Sequence, residues 1–154
     1  MRLSRIKRWS LVFGILLSTL WPSFAMASEP EIYTRFFSNL ALEGYDTVAY
    51  FDQNKPVEGQ SKYSYEYKGA VWQFSTQENL DKFIAMPQEY APQYGGYCAW
   101  LVAGGDTAKG DPRYWSIENG KLYLNYDADI QKKWLLDKSG FIKKGDAMWP
   151  SVLD

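Results

Sequence analysis

A single cysteine, Cys98, and no histidine at all serve a chain of 154 residues whose first 27 read as an export signal. Whatever folds outside the cytoplasm must therefore do so without an intramolecular disulfide and without a Cys-rich or His-rich metal cage. The usual general base of Ser or Cys nucleophilic catalysis is missing as well. Stability has to come from packing. The composition agrees, with 18% Phe, Trp and Tyr, because each large ring can bury roughly 150–250 Å².

The leader has three zones. Arg2, Arg5, Lys7 and Arg8 form a cationic head, Trp9–Trp21 is a 13-residue apolar stretch, and Ala25-Met26-Ala27 offers small residues at a peptidase spacing. The stretch falls short of the about 20 residues a spanning helix needs and is broken by Pro22. Cleavage after Ala27 is expected, giving a periplasmic or secreted protein with no stable membrane span. Residues 28–154 then hold 13 Lys and Arg against 18 Asp and Glu, a net charge of −5. That mildly acidic balance excludes nucleic acid, whose phosphates call for clustered cations. At 127 residues, one domain is expected.

Two hairpins are predicted: Tyr63–Tyr67 with Ala70–Phe74 around Lys68-Gly69, and Trp115–Glu118 with Lys121–Tyr126 around Asn119-Gly120. Both are expected in one antiparallel sheet. Thr76 is placed to cap a helix through Leu80, Phe83 and Ile84 that Pro87 ends. Tyr97–Ala103 is an apolar run closed by Gly104-Gly105. Asp127 is placed to cap a helix with Ile130, Trp134 and Leu135 on one face, Ser139-Gly140 is expected to break it, and a short helix to follow over Phe141–Trp149. No internal repeat is visible. The order reads as a small single α+β domain, two hairpins packed with several short helices.

From Gly44 to Tyr90 the chain resembles the YHS domain, a module related to the TRASH metal-handling domains. The likeness lies in Tyr45-Asp46-Thr47-Val48-Ala49-Tyr50, in Tyr65-Glu66-Tyr67-Lys68-Gly69 with Trp72 and Phe74, and in Glu78, Asp81, Phe83, Pro87 and Tyr90. Tyr90–Ala99, Gly120–Tyr126 and Trp149-Pro150 resemble an exported bacterial subfamily, so residues 28–154 read as one YHS-type domain (core about 44–90) with a C-terminal extension. The resemblance implies three metal-binding cysteines, and the matching positions are Ala49, Ser75 and Asn79. None is a thiol, so the family's soft-metal site does not carry over.

Candidate chemistry is sparse. Cys98 is either a soft ligand for copper or zinc, alone or bridging a homodimer, or a reactive thiol at a helix start, or packing. Asp46 reads as a helix cap rather than a site carboxylate. Tyr90, Tyr94, Tyr97 and Trp100 form either a ligand-facing aromatic run or core. No serine-nucleophile elbow, phosphate-binding loop or zinc-protease motif is present. The expectation is an exported, non-enzymatic binding or accessory protein with a ligand surface around Asp46, Tyr50, Tyr94, Tyr97 and Cys98. The alternatives are metal binding through Cys98 and a thiol redox enzyme.

Overall fold

The structure, a computed structural model, describes residues 28–154, so the expected export signal lies outside the described residues. Its architecture is α+β, with six α-helices and two separate two-stranded antiparallel sheets. In chain order these are α1 (Thr47–Asp52), β1 (Gln60–Tyr67), β2 (Ala70–Phe74), α2 (Gln77–Ala85) and α3 (Pro87–Tyr90). Then follow α4 (Ala99–Val102), β3 (Asp111–Glu118), β4 (Lys121–Asn125), α5 (Ala128–Leu135) and α6 (Lys138–Met148).

The local signals act as their chemistry requires. Both hairpins turn on two consecutive left-handed residues, Lys68-Gly69 (φ 51° and 74°) and Asn119-Gly120 (φ 51° and 73°), the geometry that matches strand twist. Thr76 accepts from the amide of Asn79, and Asp127 from that of Ile130, satisfying N–H groups that each helix start leaves orphaned. Of the predicted α5 face only Trp134 is fully buried, while Leu135 is half exposed.

Two expectations need correction. The hairpins do not join into one sheet; β2 pairs outward with residues 39–41 through Val71, and β4 with Cys98 through a parallel bridge at Leu124. Nor does Ser139-Gly140 break a helix. Both lie in the first turn of α6, where the Asp137 side chain caps the Gly140 amide at 3.0 Å. A β-carbon on Gly140 would meet that carboxylate at 2.1 Å, so the glycine makes room for the cap.

A third correction is the largest. The chain repeats its own architecture at an offset of 51–52 residues. Each unit opens on three consecutive left-handed residues, Leu42-Glu43-Gly44 and Tyr94-Gly95-Gly96. Tyr45 N–H then donates to Leu42 and Tyr97 N–H to Tyr94, each at 2.9 Å. Asp46 N–H donates to Val57 at 2.8 Å, and Cys98 N–H to Ala108 at 2.9 Å. Gly59 N–H closes on Gly44, and Gly110 N–H on Gly96. Asp46 and Cys98 are the N-caps of α1 and α4. Both hairpins carry the same irregularity, between Gln60 and Ser64 in one and between Asp111 and Trp115 in the other. The aromatic contact between each hairpin and its following helix also recurs, Trp72–Phe83 at 4.9 Å and Tyr123–Trp134 at 5.4 Å.

The two units share a core through β4, which is buried on both faces. Leu122 and Leu124 pack with Val48, Tyr50, Trp72 and Phe74, while Tyr123 between them faces Tyr94, Tyr97, Val102 and Trp134. This is the period-2 alternation of a strand serving two layers. The N-terminal segment straps the units together: Glu29 N–H donates to Leu153, Tyr33 N–H to Gly95, and Ile32 is buried.

Candidate functional site

Asp46 is fully buried and its carboxylate is a hub. Oδ1 accepts from the amides of Val48 and Ala49 at 3.0 and 3.3 Å. Oδ2 accepts from the Ser75 amide at 2.8 Å, the Ser75 hydroxyl at 2.6 Å and the Asn79 side-chain amide at 2.7 Å. Ala49, Ser75 and Asn79, the positions matched to ligand cysteines, thus surround a carboxylate. Its charge is balanced by five donors rather than by a cation, which suits burial without a counter-ion. Asp46 is a cap, as its sequence context indicates, and it also pins the end of β2 to α1. Among the described residues no group of three or more His, Cys, Asp or Glu could hold a metal ion.

Cys98 occupies the counterpart position in the second unit. The thiol is fully buried, and that burial pushes its pKa up even though the backbone N–H groups of Leu101, Tyr126 and Trp100 favour the thiolate. Of the readings open for Cys98, packing fits best: α4 is a single turn, and desolvation outweighs what its N-terminus offers the thiolate. Tyr126 stands where the first unit has Ser75, and the same N–H group reaches the cap residue in both.

Tyr50 and Tyr97 are structural ties. Tyr50 donates its hydroxyl to the carbonyl of Pro112 at 2.9 Å and packs edge-on to Trp115, joining α1 to β3. Tyr97 donates to the carbonyl of Pro30 at 2.8 Å, holding the strap. Burial raises both phenolic pKa values well above 10.

Tyr94 differs. Its left-handed backbone (φ 54°) is costly for a bulky residue, about 1–3 kcal/mol. Its hydroxyl donates to Asp146 Oδ1 at 2.8 Å and lies 3.2 Å from the carbonyl of Ile142, both on α6. Burial and then the neighbouring Asp146 carboxylate drive its pKa far upward. Tyr94, though nearly fully buried, is among the residues lining a cleft of about 250 Å³ with Glu31, Tyr67, Lys68, Asp146 and Trp149. The cleft lies on the seam, its walls drawn from the strap, the first hairpin turn, the connection after α3, and α6.

The five residues expected to form one surface therefore separate. Tyr94 lines the cleft, whereas Asp46, Tyr50, Tyr97 and Cys98 do not. Sequence reasoning missed Glu31, Lys68 and Asp146 as cleft residues. Trp149 was quoted only for its family likeness, and no local pattern ties Asp146 to Tyr94.

Residues 48–94 match the YHS domain. The chain carries a YHS domain. The match covers about a third of the sequence, running from α1 to the start of the second left-handed turn. No curated protein and no solved structure matches the chain. The YHS match covers most of the first unit of the repeat and ends on Tyr94, which opens the second; it includes Tyr67, Lys68 and Tyr94 of the cleft, while Asp146 and Trp149 come from the part that follows.

Proposed function

We propose that the protein is an exported, non-enzymatic binding or accessory protein of the cell envelope, holding a small ligand in the seam cleft between its YHS domain and the unit that follows. One observation carries the reading. Tyr94, Asp146 and Trp149 come together in the lining of the cleft, where the nearly buried Tyr94 donates its hydroxyl to Asp146 at 2.8 Å. The left-handed turn itself recurs at Leu42-Glu43-Gly44 as part of the repeat, so what sets Tyr94 apart is its bond to Asp146 at the cleft. The leader and the lack of any nucleophile–base pairing with histidine fit an exported binder.

Little supports the alternatives centred on Cys98. Two copies of a fully enclosed thiol cannot meet across a dimer axis without opening the fold, and a raised pKa leaves little thiolate for soft-metal or redox chemistry.

The test is a fragment screen by two-dimensional NMR on the full chain expressed with its own leader. The exported form is expected to begin at Ser28 by mass spectrometry, with ligand-induced shifts clustering on Lys68, Tyr94, Gly95 and Trp149. Shifts confined to other surfaces, or no response to any fragment, refute the cleft as the binding site.

A further inference from the structure

We infer that the seam cleft selects a small organic ammonium ion, a conclusion that rests on the cleft being the ligand site. Three charged groups line it, Glu31, Lys68 and Asp146. Lys68 and Glu31 are paired directly and cancel. Asp146 has no ion-pair partner among the described residues. Its one recorded hydrogen bond is the Tyr94 hydroxyl, a neutral donor that engages Oδ1 and leaves Oδ2 unused. Asp146 is exposed on α6, so the mouth of the cleft carries one carboxylate that no ion pair holds.

Half-buried Trp149 and Tyr67 line the cleft beside that charge, with the nearly buried Tyr94 packed behind Trp149. Trp149 and Tyr94 both line the cleft, their ring centroids 5.9 Å apart. A carboxylate next to aromatic rings is the chemistry that recognises ammonium groups, through charge attraction and the negative ring face together. The rim already displays the pattern within the chain: the Lys68 ammonium lies 5.8 Å from the centroid of the Tyr67 ring while pairing with Glu31. Size restricts the choice further. About 250 Å³ lies below the roughly 300–1,000 Å³ of sites for drug-sized molecules, which favours a compact cation over a nucleotide or an extended peptide.

The probes are choline, its neutral carbon isostere 3,3-dimethylbutan-1-ol, and acetate, each titrated into the full chain and followed by NMR and calorimetry. Choline is expected to shift Tyr94, Asp146 and Trp149 and to bind at least tenfold tighter than the isostere, with acetate silent. Asp146→Asn keeps an oxygen to accept from Tyr94 but removes the charge; it is expected to leave the melting temperature unchanged and weaken choline at least tenfold. Equal binding of choline and the isostere, or undiminished choline binding by Asp146→Asn, overturns the inference. A neutral or anionic fragment that perturbs the cleft while choline does not would overturn the ammonium assignment alone and leave the cleft standing. Silence from every probe and every fragment would remove both.

Discussion

Replacing Asp46 tests whether a carboxylate organises the first unit. Asp46→Ala removes the cap of α1, worth about 1 kcal/mol. It also strands the Ser75 amide and the Asn79 side-chain amide, the latter only 5% exposed, at about 1–3 kcal/mol for each unsatisfied donor. The expected loss is about 3–7 kcal/mol, a large part of the roughly 5–15 kcal/mol that holds a typical domain together. Asp46→Asn has the same shape but turns an N–H₂ group toward N–H donors whichever way it flips, so a loss of about 2–4 kcal/mol is expected from the same desolvation argument. Ser75→Ala removes a single hydroxyl bond and should lose about 1 kcal/mol. The second unit supplies a control, because Cys98→Ala at the counterpart cap deletes one buried sulfur and no charge-assisted bond, for about 1 kcal/mol. Urea unfolding of the full chain, followed by circular dichroism, reads all four. The reasoning fails if Asp46→Asn lies within about 0.5 kcal/mol of the parent, the spread of ordinary surface substitutions, or if Asp46→Ala is no worse than Cys98→Ala.

Alkaline titration should unfold the protein cooperatively. Tyr50, Tyr94, Tyr97 and Tyr123 are buried with raised pKa values, Tyr123 to about 12 and the others further. Their contribution is complete below the ordinary phenol pKa of about 10 and drains away above it by up to about 1.4 kcal/mol per pH unit for each ring, since the unfolded chain ionises first. Phenolate absorbance rising near pH 10 with the fold intact would contradict this. A thiol reagent at neutral pH should leave Cys98 unmodified until denaturant is added, and Cys98→Ser should retain the fold; rapid native labelling would contradict the burial. Gly95→Ala should release the strap, because its β-carbon would sit 1.7 Å from the Glu31 carbonyl oxygen on a backbone with φ +59°. Limited proteolysis should then cut within residues 28–34, whereas Gly69→Ala, whose β-carbon meets nothing within 4 Å, should leave that segment protected.

The hairpins and caps were legible because their signals are local: a lysine or asparagine followed by glycine, or a Thr or Asp before an apolar helix face. The pairing partners of the sheet edges were not, since Leu40 against Val71 and Cys98 against Leu124 are long-range choices. The repeat escaped notice for a physical reason. What the two units hold in common is mostly backbone demand, met by Gly44 and Gly96, Gly59 and Gly110, and Gly69 and Gly120, while the packing residues differ. Gly59 and Gly110 persist because a β-carbon at either would come within 2.6 Å of Gln73 or Leu124, which are themselves counterparts. The cap itself changed chemistry, from a carboxylate serving Ser75 and Asn79 to a thiol beside Tyr126, with Ile130 in place of the asparagine. The cleft was invisible for a different reason: Tyr94 and Asp146 meet only after α4, both strands of the second hairpin, α5 and most of α6 have been laid down.

Because β4 lends alternate side chains to two cores, neither half owns its hydrophobic surface outright. Severing the chain at the connection near Pro92 would strip Leu122 and Leu124 from the first half and leave its greasy inner wall wet. A fragment of that kind would clump or recruit a surrogate strand, whereas the intact polypeptide carries its own companion in a fixed one-to-one ratio.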